Sequence, residues 1–117
     1  MDQTQKIIDI LRAAGLEAYW PGTHEGICRA PYCVPHALSG TLLCPAGGSV
    51  LYRICLYVPA DRPEELDSLA RSVRQALAGA QEEGWLSLER PRGNIVFDDT
   101  FRSAGSSIDY VSYYSEM

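Results

Sequence analysis

Basic charge, histidine and unbroken apolar sequence are all scarce in this chain. It carries 10 Lys and Arg against 15 Asp and Glu, a formal net charge of −5, and a sequence pI of about 4.9. The basic residues are scattered, not gathered in a stripe, so a nucleic-acid groove has little electrostatic support. No apolar run approaches the roughly 18 residues a membrane span needs. Met1 to Leu11 is polar and then amphipathic, without the apolar centre of a secretory signal. Its 4 cysteines are therefore expected as reduced cytosolic thiols, not as a disulfide framework. There is no low-complexity tract and no internal repeat.

What is present is a globular composition, 46% hydrophobic over 117 residues. That length suits one domain, 1–117, large enough for a core without metal or disulfide support. The first helix is expected from Asp2 as cap, with Gln5 three residues on, and an apolar face of Ile7, Ile8, Leu11 and Ala14. Gly15 stands where a left-handed C-terminal residue belongs. Residues 16–20 read as a short strand and 21–30 as a loop. Residues 31–36 read as an edge strand, because its two prolines would spoil a central ladder.

Residues 38–48, with Ser39-Gly40 and then Pro45, Gly47 and Gly48, read as a long hairpin connection or an arm carrying Leu42 and Leu43. The clearest strand is 49–59. Val50, Tyr52, Ile54, Leu56 and Val58 share one face; Leu51, Arg53, Cys55 and Tyr57 share the other. A second helix is expected from Asp61 as cap, with Pro63 in its first turn, Glu64 completing a capping box, and a stripe of Leu66, Leu69, Ala70, Val73 and Leu77. It should finish between Gly79 and Gly84. Strands follow at 85–89, 94–101 and 106–115. This order, with short links between the later strands, predicts an α+β domain: a mostly antiparallel sheet with two helices packed on one face.

The stretch "HEGICRAPYCVPH", residues 24–36, holds both histidines and two cysteines. His24, Cys28, Cys33 and His36 are acceptable zinc ligands in number and softness, and a small cytosolic zinc-binding adaptor is one reading of them. Their spacing matches no common finger, ribbon or knuckle. If 31–36 is extended, Cys33 and His36 also face opposite ways. Small apolar use of the cysteines is the competing reading. A thiol enzyme built on Cys28 or Cys33 would need a base within reach and a lowered thiol pKa, and proximity in sequence supplies neither. Asp98 and Asp99 are neighbours whose side chains diverge on a strand, so one is expected to cap a turn and the other to be solvated. "PRGN", 91–94, is a turn and not a phosphate loop. The terminal tyrosines Tyr110, Tyr113 and Tyr114 have no catalytic company and suit an assembly surface.

"AGLEAYWPGTHEG", "PYCV", "LYRICLYVP", "PEEL", "FDDT" and the Tyr-rich last strand, in that order, resemble small tail-terminator, tail-completion and head–tail joining proteins of long-tailed phages and prophages, often called minor capsid proteins. The resemblance spans most of the chain. It implies a non-enzymatic subunit that assembles with copies of itself, usually as a hexameric ring, at the head-proximal end of the tail tube. Its partners would be tail-tube and head-connector proteins, with no cofactor, no specific nucleic-acid binding and no membrane. Its place would be the host cytoplasm during assembly and the head–tail junction of the virion. The matched positions point to Asp98, Asp99, Tyr110, Tyr113 and Tyr114 as subunit contacts, beside Leu42 and Leu43. The cluster at 24–36 is not something that family requires.

Overall fold

A computed structural model describes residues 3–24, 26–44 and 47–115, with the side chains of 39–48, 114 and 115 outside the described set. The first element is α1 (Thr4–Ala13), whose Ile7, Ile8 and Leu11 are fully buried while Ala14 lies exposed beyond its end. The expected cap, Asp2, lies outside the described residues. The Gln3 amide donates instead to the Tyr52 hydroxyl at 2.7 Å, so the sheet itself caps the helix. At the other end Gly15 has φ +86°. Its amide donates to Arg12 O at 3.0 Å and that of Leu16 to Leu11 O at 3.1 Å, the paired closure that a left-handed glycine permits. Gly15→Ala is expected to cost about 1 kcal/mol, seen as a lower urea midpoint with an unchanged slope.

The chain then forms β1 (Tyr32–Cys44), β2 (Gly47–Pro59), α2 (Glu65–Ala76), α3 (Ala78–Glu83), β3 (Ser87–Arg90), β4 (Val96–Asp98) and β5 (Ser103–Ser115). All strand pairs are antiparallel. The order across the sheet is β1-β2-β5-β3, and β4 shares β5's outer edge with β3. The second helix bends at Leu77, where α2 gives way to α3. This is the α+β domain expected: a five-stranded sheet with the helices on one face. Tyr52, Ile54, Leu56 and Val58 from β2 meet Leu66, Val73 and Leu77, all fully buried. Among the described residues no helix is long and apolar enough to cross a membrane.

Several local expectations are corrected. Residues 16–20 do not form a strand; Ala18 alone bridges Cys33. Asp61 does not cap α2, which begins at Glu65 with no side-chain cap. Two tight turns lead into it, Arg62 N–H to Pro59 O and Glu65 N–H to Arg62 O, and Arg62 faces the Glu65 carboxylate at 3.3 Å. The largest correction concerns 38–48. There is no long connection: β1 runs on to Cys44 and β2 starts at Gly47. The Ser39-Gly40 pair falls in a register shift between Leu38 and Thr41, and a second shift lies between Leu42 and Cys44. A glycine next to a strand irregularity bends the strand without ending it.

Candidate functional site

A strand of thirteen residues reaches roughly 40 Å. The three long strands therefore outrun the helices, and the molecule measures 48 × 25 × 23 Å. The overhang is a ribbon in the order β1-β2-β5. Rows across it are Leu38–Leu51–Val111 and Thr41–Ser49–Tyr113, and the row before them, Ala37–Tyr52–Tyr110, still lies under the helices. No charged residue occurs between His36 and Arg53, nor between Asp109 and Glu116. The ribbon is thus free of charge in all three of its strands.

Which backbone groups it leaves open follows from the pairing. Cys33 turns its N–H to Glu17 O and its C=O to Tyr19 N–H, away from β2. Alternation along the strand then turns Pro35 and Ala37 outward as well. On β5, Ser107 O accepts from the Gly93 amide, away from β2. β2 and β5 pair without a register break from Ser103 to Ser115, so Asp109, Val111, Tyr113 and Ser115 also turn outward. β3 covers Asp109 and Val111. Among the described residues, nothing pairs with the outward groups of Ala37, Tyr113 or Ser115.

The sheet face away from the helices has its own organisation. Arg53 Nε and Nη2 bond the two Asp109 carboxylate oxygens at 3.0 and 3.2 Å. Further along, His24 stacks on Tyr32 with centroids 3.8 Å apart, and Tyr32 on Tyr57 at 4.9 Å. The Tyr57 ring continues over Gly105, where an added Cβ would meet ring carbons at 3.4 Å. The Cys28 amide donates to Phe101 O at 2.8 Å, which ties the segment before β1 to the turn between β4 and β5. A hollow of about 280 Å³ remains there, lined in part by His24, Tyr32, His36, Tyr57, Asp98 and Phe101.

The four residues of the zinc reading are not brought together. Cys33 is buried under the helix side of the sheet, where its thiol donates to Glu17 O at 3.4 Å. His36 lies on the opposite face in the row of Arg53, as the odd spacing implies. The buried Cys28 thiol donates to Ala30 O at 3.4 Å. Burial pushes the Cys33 thiol up to about 12, and burial likewise raises those of Cys28 and Cys55, away from the reactive thiolate. Among the described residues, no three His, Cys, Asp or Glu side chains come within metal-holding reach of one another.

The expected contact residues divide. Asp98 and Asp99 are both exposed, and Asp98 Oδ1 accepts from the Thr100 and Phe101 amides at 2.9 and 3.2 Å. One aspartate therefore holds the turn and the other meets solvent. Tyr113 is 60% exposed. Tyr110 is corrected: it is fully buried, because its position in the strand faces the helices. The side chains of Leu42, Leu43 and Tyr114 lie outside the described set; Leu42 and Leu43 fall in β1 and Tyr114 in β5. Sequence reading missed the Arg53–Asp109 pair. Its signal was a single charge on each of two strands that are otherwise nearly uncharged.

Comparison with protein-family models gives no match, and neither does comparison with curated proteins.

Proposed function

We propose that this is a structural protein that assembles with copies of itself at the head-proximal end of a long phage or prophage tail, as a tail terminator or head–tail joining protein. One observation carries the reading: a three-stranded ribbon projects beyond the helices, bears no charge and, among the described residues, leaves strand edges unpaired. Monomeric proteins protect such edges with charge, proline, bulges or a covering segment; Pro35 and two register shifts guard β1, whereas the end of β5 carries none of these. A ribbon lacking charge along its length suits a surface that is covered once assembled. The residue series "PYCV", "LYRICLYVP", "PEEL" and "FDDT" supplies the tail-specific part of the reading, and an acidic subunit suits a passage through which DNA moves without sticking.

The test is native mass spectrometry of the untagged protein over a range of concentrations. A discrete closed oligomer of one stoichiometry is expected. A monomer at every concentration, including after mixing with isolated tail tubes, overturns the proposal.

A further inference from the structure

We infer that the hollow between α2 and the link from β3 to β4 is a binding site for a phosphate group, free in solution or carried by a small molecule. The site is independent of the self-assembly reading.

The chain's 10 basic residues are scattered along the sequence, but the fold gathers three of them. Asp67, Arg71 and Arg74 stand at i, i+4 and i+7 and so form one row along α2. Arg92 meets that row from the link, and a hollow of about 580 Å³ lies between them, lined also by Gln75 and Gln81. Ala70 and Ala78, in the same lining, have no side chain beyond Cβ to fill it.

The link is built to hold Arg92 there. Pro91 fixes the backbone on one side. On the other, the Gly93 amide donates to Ser107 O at 2.8 Å and the Gly93 carbonyl accepts from Ser106 Oγ at 2.9 Å. A Cβ at Gly93 would come within 2.8 Å of Ser107 Oγ, so the close approach to β5 calls for glycine. Because the sheet takes the Gly93 amide, the link offers an anion the Arg92 side chain and not a backbone loop.

Charge selects the ligand. Asp67 and Arg71 have the spacing of a helical ion pair, but the Asp67 carboxylate bonds Arg92 instead. Arg71 and Arg74 are exposed, and neither has a carboxylate partner among the described residues. Three arginines and one aspartate leave the hollow with a surplus of two positive charges, in a chain whose net charge is −5. A phosphate monoester carries about −1.5 to −2 at neutral pH and presents three oxygens to guanidinium forks. A carboxylate brings one charge and two oxygens, too few for this set. All three cations are arginine and none is lysine, which fits bidentate contact with such oxygens.

The rival account gives each arginine a separate duty. Arg74 complements the C-terminal end of α2, Arg92 pins its link to Asp67, and Arg71 is solvated. It expects no preference for phosphate over chloride.

The experiment titrates the full chain with inorganic phosphate, AMP and adenosine at constant ionic strength, following the arginine Nε–Hε signals by NMR. Saturable shifts at Arg71, Arg74 and Arg92 are expected with phosphate and AMP, and none with adenosine. Tighter binding of AMP than of phosphate assigns the site to a larger phosphorylated molecule; otherwise the free anion is the ligand. Arg71→Gln and Arg74→Gln should each weaken phosphate binding about tenfold, and Arg71→Lys about threefold. Neither guanidinium bonds within the described protein, so these variants should melt as the unaltered chain does. Arg102→Gln removes an equal charge beside the β4–β5 turn and should change binding by less than about twofold.

Shifts that never saturate, or that equal chloride reproduces, would mean a solvated arginine face and overturn the proposal. Equal loss in Arg102→Gln would reduce the effect to net charge and overturn it too. Tight binding of a short DNA duplex, with no saturation by phosphate or AMP, would mark a polyanion surface and overturn it as well.

Discussion

Between pH 9 and 12 the fold should lose stability steeply, and Cys33→Ala should remove the earliest part of that loss. Cys33 is fully buried, and burial raises its thiol from an ordinary 9.0 to about 12. Tyr110 is fully buried too, and burial raises its phenol from 10.0 to about 12. Each folded-state pKa lies above the unfolded value. The unfolded chain therefore sheds these protons first, and stability falls as pH rises through the window. The contribution is complete below pH 9 for the thiol and below pH 10 for the phenol. Its size is on the order of 3 to 4 kcal/mol for Cys33 and 2 to 3 kcal/mol for Tyr110, a large part of the stability of a domain this size. Burial raises Tyr57 in the same direction, to about 12.

Urea unfolding at pH 8, 9.5 and 11 reads this directly. Cys33→Ala should cost about 1 kcal/mol at pH 8 through lost packing, yet fall less between pH 8 and 11 than the unaltered chain. Tyr110→Phe should gain about 1 kcal/mol at pH 8, because its hydroxyl is buried with no hydrogen-bond partner among the described residues. A loss there would mean that the hydroxyl is satisfied. Equal pH dependence in the unaltered chain and both variants would reject the burial argument.

These residues also show what a sequence can and cannot convey. The period-two pattern of 49–59 marked the core face correctly, because alternation follows from strand geometry alone. Pro35 marked β1 as an edge strand for an equally local reason, the missing amide. The odd spacing of Cys33 and His36 sends their side chains to opposite faces, again from strand geometry alone. Three-dimensional pairing was less legible. Gly47 and Gly48 look like loop chemistry, yet β5 lies beside β2 all the way to Gly47 and holds both in strand. Tyr110 and Tyr113 are three residues apart in one strand and so face opposite ways. A shared assembly role for both was incompatible with the strand that the same reading placed there. The stack of His24, Tyr32 and Tyr57 over Gly105 joins four separate segments, and no local pattern announces it.

The Arg53–Asp109 pair carries the second large effect, and its sign depends on what replaces it. The Asp109 side chain is 6% exposed and that of Arg53 is 42% exposed. The carboxylate has therefore given up most of its water, and the guanidinium's two bonds replace part of that hydration. Removing only Arg53 leaves a buried carboxylate without its cation. Arg53→Met is accordingly expected to cost about 2 kcal/mol, below the range for a wholly buried pair because water still reaches this site. Replacing both, Arg53→Met with Asp109→Leu, removes the stranded charge along with the pair. It should restore stability to within about 1 kcal/mol of the original, since neighbours Leu51, Cys55 and Val111 are already apolar. The double-mutant cycle from urea midpoints at neutral pH then gives a coupling of about 1 to 2 kcal/mol. If Arg53→Met alone costs less than about 0.5 kcal/mol, the pair is behaving as an exposed ion pair. Asp109 would then draw its hydration from solvent despite its low exposure.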